Sequence, residues 1–129
     1  MFLLDTSAWI ESFKKNSKFR IEEKFDPGLI YLCLPVYQEF LQGIKDDRTY
    51  SHLKKALDHS NFLEEPMTKV IFEEASNIFR QAKKKGITIR SSMDCQIAAI
   101  AIQHQAIVVH KDRDYKQISK FTNLKEVSI

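Results

Sequence analysis

Short apolar runs alternate with longer stretches of helical spacing along the whole chain. Phe2-Leu3-Leu4 is a brief apolar run that stops at Asp5. It predicts a strand that hands over to a helix, with Thr6 or Ser7 at the cap and Trp9, Ile10 and Phe13 on the apolar face. Residues 14–26 are charged, with Phe19, Ile21 and Phe25 spaced through them, and predict a second short helix broken by Pro27-Gly28. Residues 29–34 predict a strand too apolar to face water on either side. Pro35 then suits the first turn of a helix that carries Val36, Phe40, Leu41 and Ile44 on one face and Glu39 near its start. Residues 46–60 predict another helix, with Tyr50, Leu53, Ala56 and Leu57 inward. A short strand is expected over 61–64.

The second half repeats the alternation. A long helix is predicted from Pro66 to about Lys85, with Val70, Ile71, Ala75, Ile78, Phe79 and Ala82 at helical spacing. Lys83-Lys84-Lys85 suits the negative end of its dipole, and Gly86 stops it. Ser91 and Ser92 cap a helix carrying Met93, Ile97, Ile100 and Ala101, with Asp94 in its first turn. Residues 106–110 predict a buried strand, followed by a charged turn, a short helix to about Phe121 and a final edge strand over 127–129. Strands alternating with helices imply one α/β domain with a central parallel sheet covered on both faces.

Composition narrows this only slightly. The 129 residues suit one domain with its own core, and 43% hydrophobic against 29% charged excludes a disordered chain. Three Gly and three Pro favour long regular elements. The net charge of +3 permits a polyanionic partner without requiring one. Cys33 and Cys95 lie in apolar segments and are expected to be buried free thiols, since no Cys or His spacing suggests a zinc site. No apolar run approaches membrane length, and the opening residues lack the pattern of a secretory signal. The expected location is the cytoplasm, with no membrane partner.

The topology fixes where the acids must lie. Asp5 follows the first strand, Glu39 is one turn into the helix after the second, and Asp94 opens the helix that leads back to the strand at 106–110. Asp112 and Asp114 follow that strand. All are therefore expected at the carboxyl edge of the sheet, where open α/β sheets place their ligands. Each acid alone is accounted for by helix capping. Together they repel one another unless a cation sits among them, and Mg²⁺ or Mn²⁺ suits carboxylates without His or Cys. The loop after the 106–110 strand offers two acids, Asp112 and Asp114, and the positions leave open which one reaches the ion. Such an ion supports phosphodiester hydrolysis. Lys111 and Arg113, flanking Asp112, are candidates for holding substrate phosphates; solvent-exposed loop charges are the equal alternative for them.

The opening Leu4-Asp5-Thr6-Ser7-Ala8-Trp9-Ile10, Glu39 within Val36-Tyr37-Gln38-Glu39-Phe40, Asp94 within Asp94-Cys95-Gln96-Ile97-Ala98-Ala99, and Asp112-Arg113-Asp114-Tyr115 resemble the PIN-domain ribonucleases. More narrowly, they resemble the VapC toxins of bacterial toxin–antitoxin pairs, in order and over the whole length. The resemblance implies a three-layer α/β/α domain of four or five short strands and a Mg²⁺- or Mn²⁺-dependent endoribonuclease. By position, Asp5, Glu39, Asp94 and Asp112 match the family's acidic quartet, with Asp5, Asp94 and Asp112 the expected metal ligands and Glu39 expected to ligate the ion or orient the attacking water. Asp114 matches a further acid, and Thr6 or Ser7 the hydroxyl that supports the first. Tyr115 stands where the family usually has Phe. The resemblance also implies an RNA substrate, a homodimer, and an antitoxin protein that blocks the site; Trp9 and Phe13 are candidates for that contact, with core packing the alternative.

Two other classes remain. A receiver-like signalling domain also holds Mg²⁺ at the carboxyl edge. It needs a phosphoacceptor Asp after a central strand, and neither Asp26 nor Asp58 follows a buried strand convincingly. A catalytically silent binding protein would keep the fold without needing the complete acid set.

Overall fold

The computed structural model describes all of residues 1–129. The fold is built around the first strand, β1 (Phe2–Leu4), in which Leu3 and Leu4 are fully buried. It lies between β2 (Ile30–Cys33) and β4 (Ile107–His110), with β3 (Asn61–Leu63) and β5 (Lys125–Ser128) at the two edges. The order is β3-β2-β1-β4-β5 and every pairing is parallel. Parallel strands need crossover segments, and the intervening sequence supplies them as helices. The result is a three-layer α/β/α domain with a five-stranded sheet, as the alternation predicts.

The helices are α1 (Thr6–Phe13), α2 (Ile21–Lys24), α3 (Leu34–Gln42), α4 (Asp47–Asp58), α5 (Lys69–Lys84), α6 (Ser92–His104) and α7 (Arg113–Ser119). Pro35 does lie in the first turn of α3, where its missing N–H leaves no intrahelical bond unmade. After α5, Gly86 takes a positive φ of 72°, a conformation that other residues adopt only with strain. No helix is long and apolar enough to cross a membrane.

Several inward assignments are corrected. On α5 the buried line is Ile71, Ala75, Ile78 and Ala82, whereas Val70 and Phe79 are 50% and 40% exposed. Six apolar residues make a stripe wider than the layer beneath covers, and the outer two spill into solvent. On α4 only Leu57 is buried; Tyr50 and Ala56 face outward. Ile10 and Phe13 on α1 are also exposed. Tyr31 in β2 is only half-buried, so the layers do not cover that strand fully on both faces. The charged stretch before β2 folds as a single turn of α2 and a 3₁₀ turn at Pro27–Leu29. The last strand begins two residues earlier than expected, at Lys125. Asp26 precedes that 3₁₀ turn and Asp58 ends α4, so neither occupies the strand end that a phosphoacceptor needs.

Cys33 and Cys95 are buried and unpaired. Burial pushes their thiols up to about 12 and about 11, so neither supplies a thiolate at neutral pH.

Candidate active site

Asp5 leaves β1 at the carboxyl edge, where its N–H still bonds to the Val109 carbonyl at 3.1 Å. It is the N-cap of α1: its Oδ1 accepts from the Ala8 N–H at 3.0 Å and from Ser7 Oγ at 2.6 Å. Ser7 Oγ in turn accepts the Lys111 N–H at 2.9 Å, tying β1 to the loop after β4. Of the two hydroxyls, Ser7 is therefore the one that supports Asp5. Thr6 Oγ1 is buried with no hydrogen-bond partner. Burial raises the Asp5 carboxyl, against the lowering effect of the Ser7 and Ala8 bonds.

Asp112 caps α7, its Oδ1 accepting from the Asp114 N–H at 2.9 Å. Asp94 sits in the first turn of α6, where the helix dipole favours an acid. Oxygens of Asp94, Asp112 and Asp114 all lie within 4.8 Å of one another. Asp94 is 7% exposed and Asp114 is 1% exposed, while the Asp112 side chain is 30% exposed. Burial, then the charge of Asp112, then the hydrogen bond and charge of Asp114 push Asp94 up to about 8; the Tyr115 hydroxyl, donating to its Oδ1 at 3.2 Å, opposes this. In the absence of a cation, Asp94 thus keeps its proton at neutral pH.

One cleft of about 360 Å³ is lined by Asp5, Thr6, Ser7, Ile10, Glu39, Arg90, Ser91, Asp94, Asp112 and Asp114. All five predicted acids reach it, from four separate segments. The acids whose oxygens lie closest together are Asp94, Asp112 and Asp114; of the expected ligands, Asp94 and Asp112 belong to this trio and Asp5 lines the same cleft. Asp112 and Asp114 both belong to the trio. Glu39, half-buried on α3, lines the wall without joining the trio.

The two predicted phosphate-binding residues lie elsewhere. Lys111 Nζ pairs with Glu11 at 3.3 Å, and neither Lys111 nor Arg113 lines the cleft. The cation that does is Arg90, which the sequence did not single out. Its Nη2 lies 3.1 Å from Asp112 Oδ1 and its Nε 3.7 Å from Asp114 Oδ1, and its backbone N–H donates to Asp114 Oδ2 at 3.1 Å. His110 was missed as well. It is 2% exposed; its Nδ1 accepts the Asp112 N–H at 3.0 Å, which leaves Nε2 to donate to Glu126 at 2.6 Å. The ring thus anchors the main chain that carries Asp112.

The donor set fits a hard divalent cation. Carboxylate oxygens converge with no Cys or His among the trio, and an unpartnered buried hydroxyl, Thr6 Oγ1, belongs to the same cleft. Asp94, Asp112 and Asp114 would hold the ion, with Asp5 lining the same cleft.

Residues 2–121 match the PIN domain family. The chain is 36% identical over 133 aligned residues to "VapC ribonuclease Mb1587" of Mycobacterium bovis, covering 99% of this chain and 98% of that protein. The same figures hold for "Ribonuclease VapC11" of Mycobacterium tuberculosis. Among solved structures, the DNA-bound VapBC of Salmonella typhimurium superposes with a TM-score of 0.80 at 16% identity, over 98% of this chain and 96% of that one.

Proposed function

The chain belongs to the PIN-domain family, and on that premise we propose that it is the ribonuclease toxin of a toxin–antitoxin pair. It hydrolyses RNA phosphodiester bonds, and Asp94, Asp112 and Asp114, together with Asp5, would hold the Mg²⁺ or Mn²⁺ that supports the reaction. The observation that carries this reading is the convergence of five carboxylates from four segments on one cleft. When bound, such an ion lowers the pKa of a water and offsets the charge that builds on phosphate oxygens.

The chain's own residues divide the remaining work. Glu39, which lines the cleft outside the trio, orients the attacking water and takes its proton. Ser7 fixes the Asp5 carboxylate through the 2.6 Å bond to Oδ1. Tyr115 holds Asp94 from beneath. In-line attack leaves a 5′-phosphate and a 3′-hydroxyl. The relatives are VapC ribonucleases and a similar structure is a VapBC pair. By analogy, this chain acts in the cytoplasm as a homodimer and is silenced by an antitoxin. The exposed Phe13, stacked on Trp9 and tilted against Phe40, offers that antitoxin an aromatic contact.

The test is cleavage of total RNA by the purified chain with Mn²⁺ or Mg²⁺, with and without EDTA, alongside growth arrest on expression. Asp5→Asn is expected to abolish both while leaving the circular dichroism spectrum unchanged. Undiminished toxicity in a folded Asp5→Asn variant would sink the reading. Absence of cleavage and of Mn²⁺ binding in the wild type would favour a silent binding protein.

A further inference from the structure

We propose that Arg90 serves two anions in turn: it neutralises the acid trio in the metal-free chain, and once a divalent ion displaces it, it binds the RNA phosphate at the cleft. This rests on the metal-dependent ribonuclease reading above.

Arg90 is the one cation that lines the cleft. It lies in the segment between α5 and α6, and two of its side-chain nitrogens approach two different acids, Asp112 at 3.1 Å and Asp114 at 3.7 Å. Those same acids, with Asp94, supply the oxygens a divalent ion would use. A guanidinium and a metal ion cannot both take the same oxygens at full strength, so the two compete. The competition is uneven. The Arg90 side chain is 55% exposed, and ion pairs at that exposure are weak. Converging carboxylates bind a divalent ion through several oxygens at once.

Displacement does not release the segment. The backbone N–H of Arg90 donates to Asp114 Oδ2 regardless of the side chain, and keeps the Cα at the rim. A planar guanidinium tethered there suits a phosphodiester, because its fork of N–H donors matches two phosphate oxygens. Neither Lys111 nor Arg113 lines the cleft, which leaves Arg90 as the cleft's own cation for that task. The neighbouring acids would repel an approaching phosphate as long as they remain uncompensated. Arg90 therefore becomes available only when the metal has arrived, which orders metal before RNA.

The experiment uses the purified full-length chain and its Arg90→Gln and Arg90→Lys variants. Calorimetric titration of the EDTA-stripped proteins with Mn²⁺, without RNA, reads the competition. Arg90→Gln is expected to bind Mn²⁺ about fivefold more tightly, the most that an exposed ion pair would withhold; Arg90→Lys should fall between it and the wild type. Steady-state cleavage at saturating Mn²⁺ reads the phosphate contact. Arg90→Gln should raise KM about tenfold, with partial rescue by Lys. The plot of log(1/KM) against log salt should become shallower by about 0.7, the value of one lost phosphate contact on a single strand. Equal or weaker Mn²⁺ binding by Arg90→Gln would make Arg90 a structural clamp on the acids and overturn the proposal. So would an unchanged KM and salt slope. A wild-type chain that binds no Mn²⁺ is a distinguishable result: it removes the metal reading itself, and this proposal with it.

Discussion

Asp94→Asn is expected to stabilise the metal-free protein at neutral pH while removing its capacity to bind metal. The Asp94 carboxyl keeps its proton in the folded chain up to about pH 8, against an ordinary value of 3.8, chiefly because it is buried beside Asp112 and Asp114. An unfolded chain releases that proton near pH 4. Between those limits the unfolded state binds fewer protons than the folded state, so stability falls as pH rises through the window. At pH 7.5 nearly four pH units have been crossed, each worth about 1.4 kcal/mol, which bounds the penalty at roughly 5 kcal/mol. Solvent at Asp112, whose side chain is 30% exposed, relaxes part of it, and about 2 kcal/mol is the expected gain for the variant. Asparagine keeps the shape and is always neutral. Its carbonyl can accept from the Tyr115 hydroxyl, and its amide can donate to Asp114.

The assay is thermal unfolding in EDTA from pH 5 to pH 8. For a chain of 129 residues, about 2 kcal/mol corresponds to a Tm higher by about 6–8 °C at pH 7.5. The difference should shrink toward pH 5, where the wild type gains more stability than the variant does. Asp5 is raised by burial in the same direction and leaves the variant some residual slope. Glu11, Asp46 and Asp58 are lowered by their partners and titrate below this window. Added Mn²⁺ should then raise the wild-type Tm and leave the variant's unchanged. An Asp94→Asn protein that melts lower than wild type in EDTA at pH 7.5, or that keeps the full pH slope, would refute the reasoning.

Three further substitutions probe the supports of the cleft. Ser7→Ala removes the 2.6 Å bond to Asp5 and the acceptor for the Lys111 N–H, and should cost about 1–2 kcal/mol in urea denaturation together with most of the RNA cleavage. Tyr115→Phe leaves the packing of a fully buried ring intact but raises Asp94 further, so Mn²⁺ affinity measured by calorimetry at pH 7 should fall a few-fold, by about 1 kcal/mol. His110→Leu strands both the Asp112 N–H and the Glu126 carboxylate, and should destabilise the chain by about 2–4 kcal/mol in the same urea assay.

What was legible in the sequence followed from chain order. A parallel sheet sends the end of every strand to one edge, so Asp5, Glu39, Asp112 and Asp114 could be placed by counting strands, and Asp94 by its place at the start of α6. Arg90 could not. It sits in an aperiodic segment, and it acquires meaning only because that segment crosses the start of α7, more than twenty residues further on. The His110–Glu126 pair was hidden for a related reason. It exists because β5 lies beside β4, with His110 opposite Ser128, and Lys125–Ser128 carries almost none of the apolar pattern that marks a buried strand. The outward Val70 and Phe79 show the same limit from the apolar side. Spacing tells which residues share a helix face, but not how much of that face the next layer covers.

The two hidden features bear on one electrostatic problem. Asp94, Asp112 and Asp114 bring three carboxyl groups within reach of one another, mostly out of water. In the metal-free chain the charge is reduced twice, by the proton retained on Asp94 and by the guanidinium of Arg90. A divalent ion carries the charge of both together. Exchanging proton and guanidinium for that ion leaves the net charge of the trio unchanged, so the exchange demands no new compensation from the surrounding layers. His110 and Ser7 hold the loop that carries Asp112 throughout, because their bonds run to the Asp112 and Lys111 N–H groups or to Asp5 and not to the exchanged charges. The cleft can therefore stay folded without metal at a stability cost that rises with pH, and take up the ion without rebuilding its walls.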